Sequence, residues 1–212
     1  MQSLYEILDL DRYCQTFAER KLVAATLELL EERPFNEISV LDIVERSHQS
    51  KTSFYNLFEN KEALAVFLFD IVARAVWEKM ARAIDAEPQW REKPRAAVRT
   101  YVDLCLSYPR TARFLIIDSA GGITALDQSR LNAHAAFAQL VASRLGFEHQ
   151  DEKTLHLLST AIVGAANEVV IDALLRSEKG KIDREAEAAR LINFLHHVIL
   201  QLSVSFVTMQ TL

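Results

Sequence analysis

The chain reads as an all-α protein of about nine helices, and three observations predict it. Apolar residues recur at i, i+3 and i+4, as in Leu64, Phe67, Leu68, Ile71, Val72 and Ala75, which is the spacing of one buried helix face. No segment alternates apolar and polar residues as a half-buried strand would. Glycines number 5 and prolines 4 in 212 residues that are 50% hydrophobic, so helices are seldom interrupted. A chain of this length buries a real core, as one large domain or two smaller ones.

The elements follow in order. Leu4, Tyr5, Ile7 and Leu8 form an amphipathic turn or two, expected to pack on the next helix or on the fourth. The first long helix spans about 13–32, with Phe17, Val23, Leu27 and Leu30 among its apolar positions, and Pro34 ends it. Ser39-x-x-Asp42 is a capping box opening a short second helix with Ile43 and Val44 on its apolar face. Gln49-Ser50 closes a turn, and Ser50 caps a third helix at about 51–57. Its inner side is Phe54 and Leu57, with Phe58 next to it, and Asn60 caps a fourth helix over about 61–86. Glu87-Pro88-Gln89-Trp90 is a loop, and Pro94 opens the fifth helix, 94–107. Tyr108-Pro109 forces a turn before the sixth, 110–118. Gly121-Gly122 marks a loop, and the seventh helix, 124–145, is expected to end at Gly146. The eighth and ninth helices, 151–177 and 183–209, are separated by Lys179-Gly180-Lys181.

Residues 39–64 carry the most information. Two short helices at a steep angle, the second polar on its outer side, form a helix-turn-helix that lays its second helix in a DNA major groove. The stretch resembles the DNA-binding region of the TetR family of bacterial transcriptional regulators. The matching residues are Ser39-Val40, Ile43, Ser50, Phe54-Tyr55, Phe58 and Lys61-Glu62-Ala63-Leu64, with Leu22-Val23 and Ala25 upstream. Three positions depart from the family pattern: Ser47-His48-Gln49 in the turn, Thr52 in place of a glycine, and Arg33-Pro34 before the second helix. His48 then takes a turn position where positive φ is common, which His tolerates better than a β-branched residue.

The resemblance implies a DNA-binding domain over residues 1–60 and a ligand-binding and dimerisation body over 61–212. It implies a homodimeric regulator, a repressor released from palindromic operator DNA by a small, largely apolar inducer. It also places Tyr55 and Lys61 on phosphates. The residues themselves add Lys51, Thr52, Ser53 and Asn56 as base or phosphate contacts, with Gln49 and Ser50 at the turn. Lys pairs with guanine, Asn with adenine, and a Thr methyl touches thymine. Net charge is −5, and residues 14–65 hold six Lys/Arg against nine Asp/Glu. That excludes a protein that merely coats nucleic acid. Residues 46–58 have Arg46 and Lys51 and no acid, a local +2.

In the body, Trp77, Tyr101, Phe114, His134, Phe137 and Asn167 are candidates to line a pocket, which needs apolar walls and a few polar groups. The last two helices are apolar on more than one side. Leu158, Ile162, Glu168, Phe194, Val198 and Leu202 are the expected dimer residues, with Gly164 and Ala165 allowing close approach. No enzyme motif, metal site or cofactor site is present: there is no Gly-rich phosphate loop, nucleophile elbow or His-x-x-x-His. His196 and His197 are adjacent and diverge on a helix. Cys14 and Cys105 are expected as buried thiols. The greasy stretch 191–209 is broken by Asn193, His196, His197 and Gln201, so no membrane span is expected there, and the chain reads as cytoplasmic. The alternative is the same fold acting through a protein partner, or as an activator, with no small-molecule inducer.

Overall fold

A computed structural model describes residues 3–120, 124–145, 147, 150–180 and 183–209. Among them the regular structure is α-helix with short 3-10 turns and no strand. The helices are α1 (Leu4–Ile7), α2 (Phe17–Glu32), α3 (Val40–Arg46), α4 (Lys51–Leu57) and α5 (Lys61–Ala86). They continue with α6 (Lys93–Ser107), α7 (Pro109–Ile116), α8 (Asp127–Arg144), α9 (Glu152–Lys179) and α10 (Arg184–Met209). The nine expected helices are α2 to α10, and the amphipathic arm contributes α1. Gly121-Gly122, Gly146 and Lys181, expected at loops and a cap, lie outside the described residues.

α2 begins later than position 13 for a local reason. A 3-10 turn occupies Leu10–Tyr13 and Cys14 is extended, so the helix restarts at Thr16. The Thr16 hydroxyl accepts the Glu19 N–H at 3.1 Å. At the other end Arg33 is extended at φ −154°, as the residue before Pro34 must avoid helix.

Two compact units emerge. The first comprises Met1–Val76 with Tyr108–Arg130, so it extends past residue 60 and takes in α7. Its core holds Leu8, Leu10, Leu22, Leu30, Ile38, Ile43, Phe54, Leu64, Leu68 and Phe114, each at most 1% exposed. Each such side chain contributes roughly 1.5–3 kcal/mol by leaving water. The arm packs on α2, and Leu4, Leu8 and Leu10 are its buried anchors. α2 also packs on α3, α4 and α7.

The second unit comprises Trp77–Ser107 with Leu131–Leu212. α10 packs along α6, and both meet α9. Ile84, Val102, Val141, Phe147, Val170 and Leu195 form its core. Two polar ties fix α6 and the loop before it against α10: Arg95 donates to Asn193 Oδ1 at 2.7 Å, and His196 Nε2 lies 2.9 Å from the Arg91 carbonyl.

Candidate nucleic-acid interface

α3, the turn and α4 are held by backbone caps at every end. Ser39 Oγ accepts the Asp42 N–H at 3.2 Å while Asp42 Oδ2 accepts the Ser39 N–H at 2.7 Å, completing the capping box. Asp42 also meets Arg33 at 2.9 Å. The Ser39 hydroxyl and N–H, then Arg33, hold its carboxyl down at about 2, from the usual 3.8.

α3 ends in a Schellman motif. The Gln49 N–H bonds the Val44 carbonyl at 2.9 Å and the His48 N–H bonds Glu45 at 3.2 Å. His48 sits at the left-handed position with φ 54°, where glycine is usual. Ser50 Oγ then accepts the Ser53 N–H at 3.0 Å and caps α4.

The polar outer face of α4 is open. Lys51, Thr52, Tyr55 and Asn56 are exposed. The inner face is Phe54, fully buried, edge-on to Tyr55 at 5.3 Å and tilted on Phe58 at 5.8 Å. Ser53 is half-buried and its hydroxyl lies 2.9 Å from Ser50 Oγ, so it serves the cap. Gln49 is half-buried, with its amide donated to the His48 carbonyl at 3.2 Å.

Residues 22–66 match the sequence profile described as bacterial regulatory proteins, tetR family. That family match is confined to residues 22–66, which hold α3, the turn and α4. An HTH-type transcriptional regulator EthR from Mycolicibacterium smegmatis is 30% identical over 99 residues, 45% of this chain and 44% of that protein, so the match spans less than half of the relative's length. Among solved structures, the regulator FadR from Bacillus subtilis in complex with stearoyl-CoA superposes with a TM-score of 0.69 at 18% identity, covering 82% of this chain and 96% of that one. A TetR-family regulator from Streptomyces coelicolor gives 0.72 at 14% identity, covering 95% and 98%. Those likenesses are of fold.

Two charges of this unit are committed elsewhere than sequence counting suggests. Arg46 reaches back to α2, 2.8 Å from Glu32 and 3.5 Å from Glu28, so the local +2 of residues 46–58 rests in practice on Lys51. Its hydrogen bond lowers the Glu32 carboxyl. Lys61 Nζ donates to the carbonyls of Phe35 at 3.1 Å and Ile38 at 2.8 Å and lies 4.7 Å from the Phe35 ring centre. Its ammonium thus closes the loop ahead of α3, with one of three N–H donors left over.

Sequence reasoning missed the grip of α7 on the same region. Thr111 donates both its N–H, at 3.0 Å, and its hydroxyl, at 2.6 Å, to Glu31 Oε1. Arg110 donates to the Glu32 carbonyl. Phe114 lies tilted against Phe35, with ring centres 5.1 Å apart. No local motif announces contacts between residues 80 positions apart.

The expected pocket residues therefore divide. Phe114 is fully buried in the first unit's core against Phe35, which removes it from any lining in the second unit. Trp77, Tyr101, His134, Phe137 and Asn167 lie in the second unit and are half-buried. The Tyr101 hydroxyl donates to Asn167 Oδ1 at 2.6 Å. Burial, then the neighbouring Cys105, raises its phenol well above the usual range. Both cysteines are buried and free, and burial pushes the Cys105 thiol up to about 12 and Cys14 to about 11.

The dimer candidates divide by one helical step. Leu158 and Ile162 are 6% and 3% exposed and point into the second unit's own core, not outward. The outward stripe of α9 is Leu157, Ala161, Gly164, Glu168 and Leu175, with nothing within 4 Å of a Cβ built at Gly164. On α10, Phe194 is 53% exposed, while Val198 and Leu202 are half-buried.

Proposed function

We propose that this chain is a homodimeric transcriptional regulator, a repressor that reads operator DNA with α4 and lets go when a small, largely apolar ligand binds its carboxy-terminal body. The capped α3–turn–α4 with an open polar face carries this reading. Lys51, Thr52 and Asn56 read bases, and Tyr55, Gln49 and the Ser50 end of α4 meet phosphates. The third N–H of Lys61 adds a phosphate contact. Two such units related by a dimer axis suit a palindromic operator with half-sites about 34 Å apart.

Dimerisation through α9 and α10 accounts for the exposed Leu157, Leu175, Phe194 and Val204. It also accounts for Glu152–Ser177, apolar and long enough to span a membrane by composition yet only 33% buried within one chain. A second copy covers that surface.

The ligand site is proposed around Trp77, Tyr101, His134, Phe137 and Asn167. The FadR neighbour takes stearoyl-CoA, whose acyl chain is the kind of apolar body such a helical unit accommodates. Release works by population shift, limited by the ligand's differential affinity for the two states. α7 is the coupling element of this proposal, because α7 and α3 hold the same last turn of α2 through Thr111, Arg110 and Arg46.

The test is binding to DNA from upstream of the chain's own gene, against random DNA of equal length, at two salt concentrations. Binding that survives random competitor is expected. Equal affinity for both DNAs at both salts contradicts an operator-reading role.

A further inference from the structure

We propose that the cleft between the amino-terminal arm and α2 is a second small-molecule site, for an organic cation with an apolar body. The cleft measures about 710 Å³ and lies wholly within the first unit. That is the size of ordinary ligand sites. Its floor is a stripe of α2 including Phe17 and Leu27, and the arm and Tyr108 wall it. It shares no residue with the body pocket proposed above.

Two features set the charge of the occupant. The first is aromatic. Tyr5, Tyr108 and the 67%-exposed Phe17 line the cleft, and aromatic faces attract cations. The Lys21 ammonium already lies 5.4 Å from the Phe17 ring centre, which leaves Tyr5 and Tyr108 as the aromatic partners for an occupant's charge and Phe17 for its apolar body.

The second is a carboxylate surplus: Glu6, Asp11, Glu28, Glu31 and Glu32 line the cleft against Arg20, Lys21 and Arg46. Glu28 and Glu32 are matched by Arg46, and Asp11 by Arg20 at 3.8 Å. Glu6 and Glu31 have no such partner among the described residues. Glu6 accepts the Ser3 N–H at 3.3 Å, and Glu31 accepts only the two Thr111 donors. Both carboxylates bear on Tyr108, whose phenol is raised by burial, then Glu31, then Glu6. An anionic or neutral occupant would desolvate these carboxylates and leave them unpaired, which is costly. A cation whose apolar body lies on Phe17 and Leu27 satisfies both features.

The experiment is calorimetric titration of the full chain with 4-phenylbutylamine, 4-phenylbutanol and 4-phenylbutyrate. The amine is expected to bind one per chain, about tenfold tighter than the alcohol, as charge-assisted contacts imply, with no binding of the acid. Glu31→Gln together with Glu6→Gln should bring the amine down to the alcohol's affinity. Glu6→Gln alone changes only a contact to the Ser3 N–H, so it preserves the fold and should give part of that loss. Trp77→Ala should leave amine binding unchanged, which separates this site from the body pocket. Equal affinity of amine and alcohol, no amine binding, or full amine affinity in the double variant overturns the proposal.

Discussion

The helix-turn-helix and the α9–α10 pair are specified in opposite ways. In the former, helix ends are closed by local contacts: Ser39 with Asp42, the backbone Schellman bonds around His48, Ser50, and Asn60 accepting the Ala63 N–H at 2.8 Å. Only one face is apolar, and Phe54 leaves no choice about which side goes in. In α9 both faces are apolar, so Leu157 at 69% exposure and Leu158 at 6% stand side by side. Caps and a single apolar face fix both the existence and the phase of a helix. A helix apolar all round fixes only its existence, and packing partners select the phase.

The largest expected effect tests that phase directly. Leu158→Asp should cost more than about 4 kcal/mol in chemical denaturation, because it buries an unpaired charge. Leu157→Asp should lower the unfolding free energy only by what the dimer contact contributes, and shift the dimer to monomer in analytical ultracentrifugation. A dimer that persists in Leu157→Asp would remove the outward stripe from the interface.

Cap removal comes next. Ser39→Ala and Ser50→Ala should each lower stability by about 1 kcal/mol. Ser50→Ala should also weaken binding to every DNA sequence alike. A smaller gain is expected from His48→Gly, roughly 0.5–1 kcal/mol, since glycine occupies φ 54° without a Cβ penalty. His48→Val should destabilise, and equal stability of the two variants would show that the turn relaxes freely.

The smallest effect is electrostatic. The folded Asp42 carboxyl is held at about 2 against an ordinary 3.8, so it favours the folded state above the ordinary value. That contribution fades as pH falls from about 4 to 2. Asp42→Asn should flatten the stability profile over that window and leave its slope near neutral pH unchanged.

The same contrast explains what could be read in the amino acids alone. The helix order, the capping box, the turn at His48 and the open face of α4 were legible because each is decided within about ten residues. The α7 clasp on α2 was not, since Thr111 and Glu31 carry no mutual signal along the chain. Arg46 reads as a free basic residue until its partners Glu28 and Glu32 are seen one helix away. Phe114 reads equally well as a pocket wall or a core ring, and only its contact with Phe35 decides. Leu158 and Ile162 were misplaced for the phase ambiguity of α9. The arm's role in forming a cleft was likewise hidden, because its wall at Tyr108 is distant in sequence.

The most direct test of the central claim, that α4 reads sequence through its open face, is the affinity of Asn56→Ala for operator and for random DNA. A loss of roughly 1–3 kcal/mol on the operator is expected, with random-DNA binding unchanged. An equal loss on both, or none on either, would contradict it.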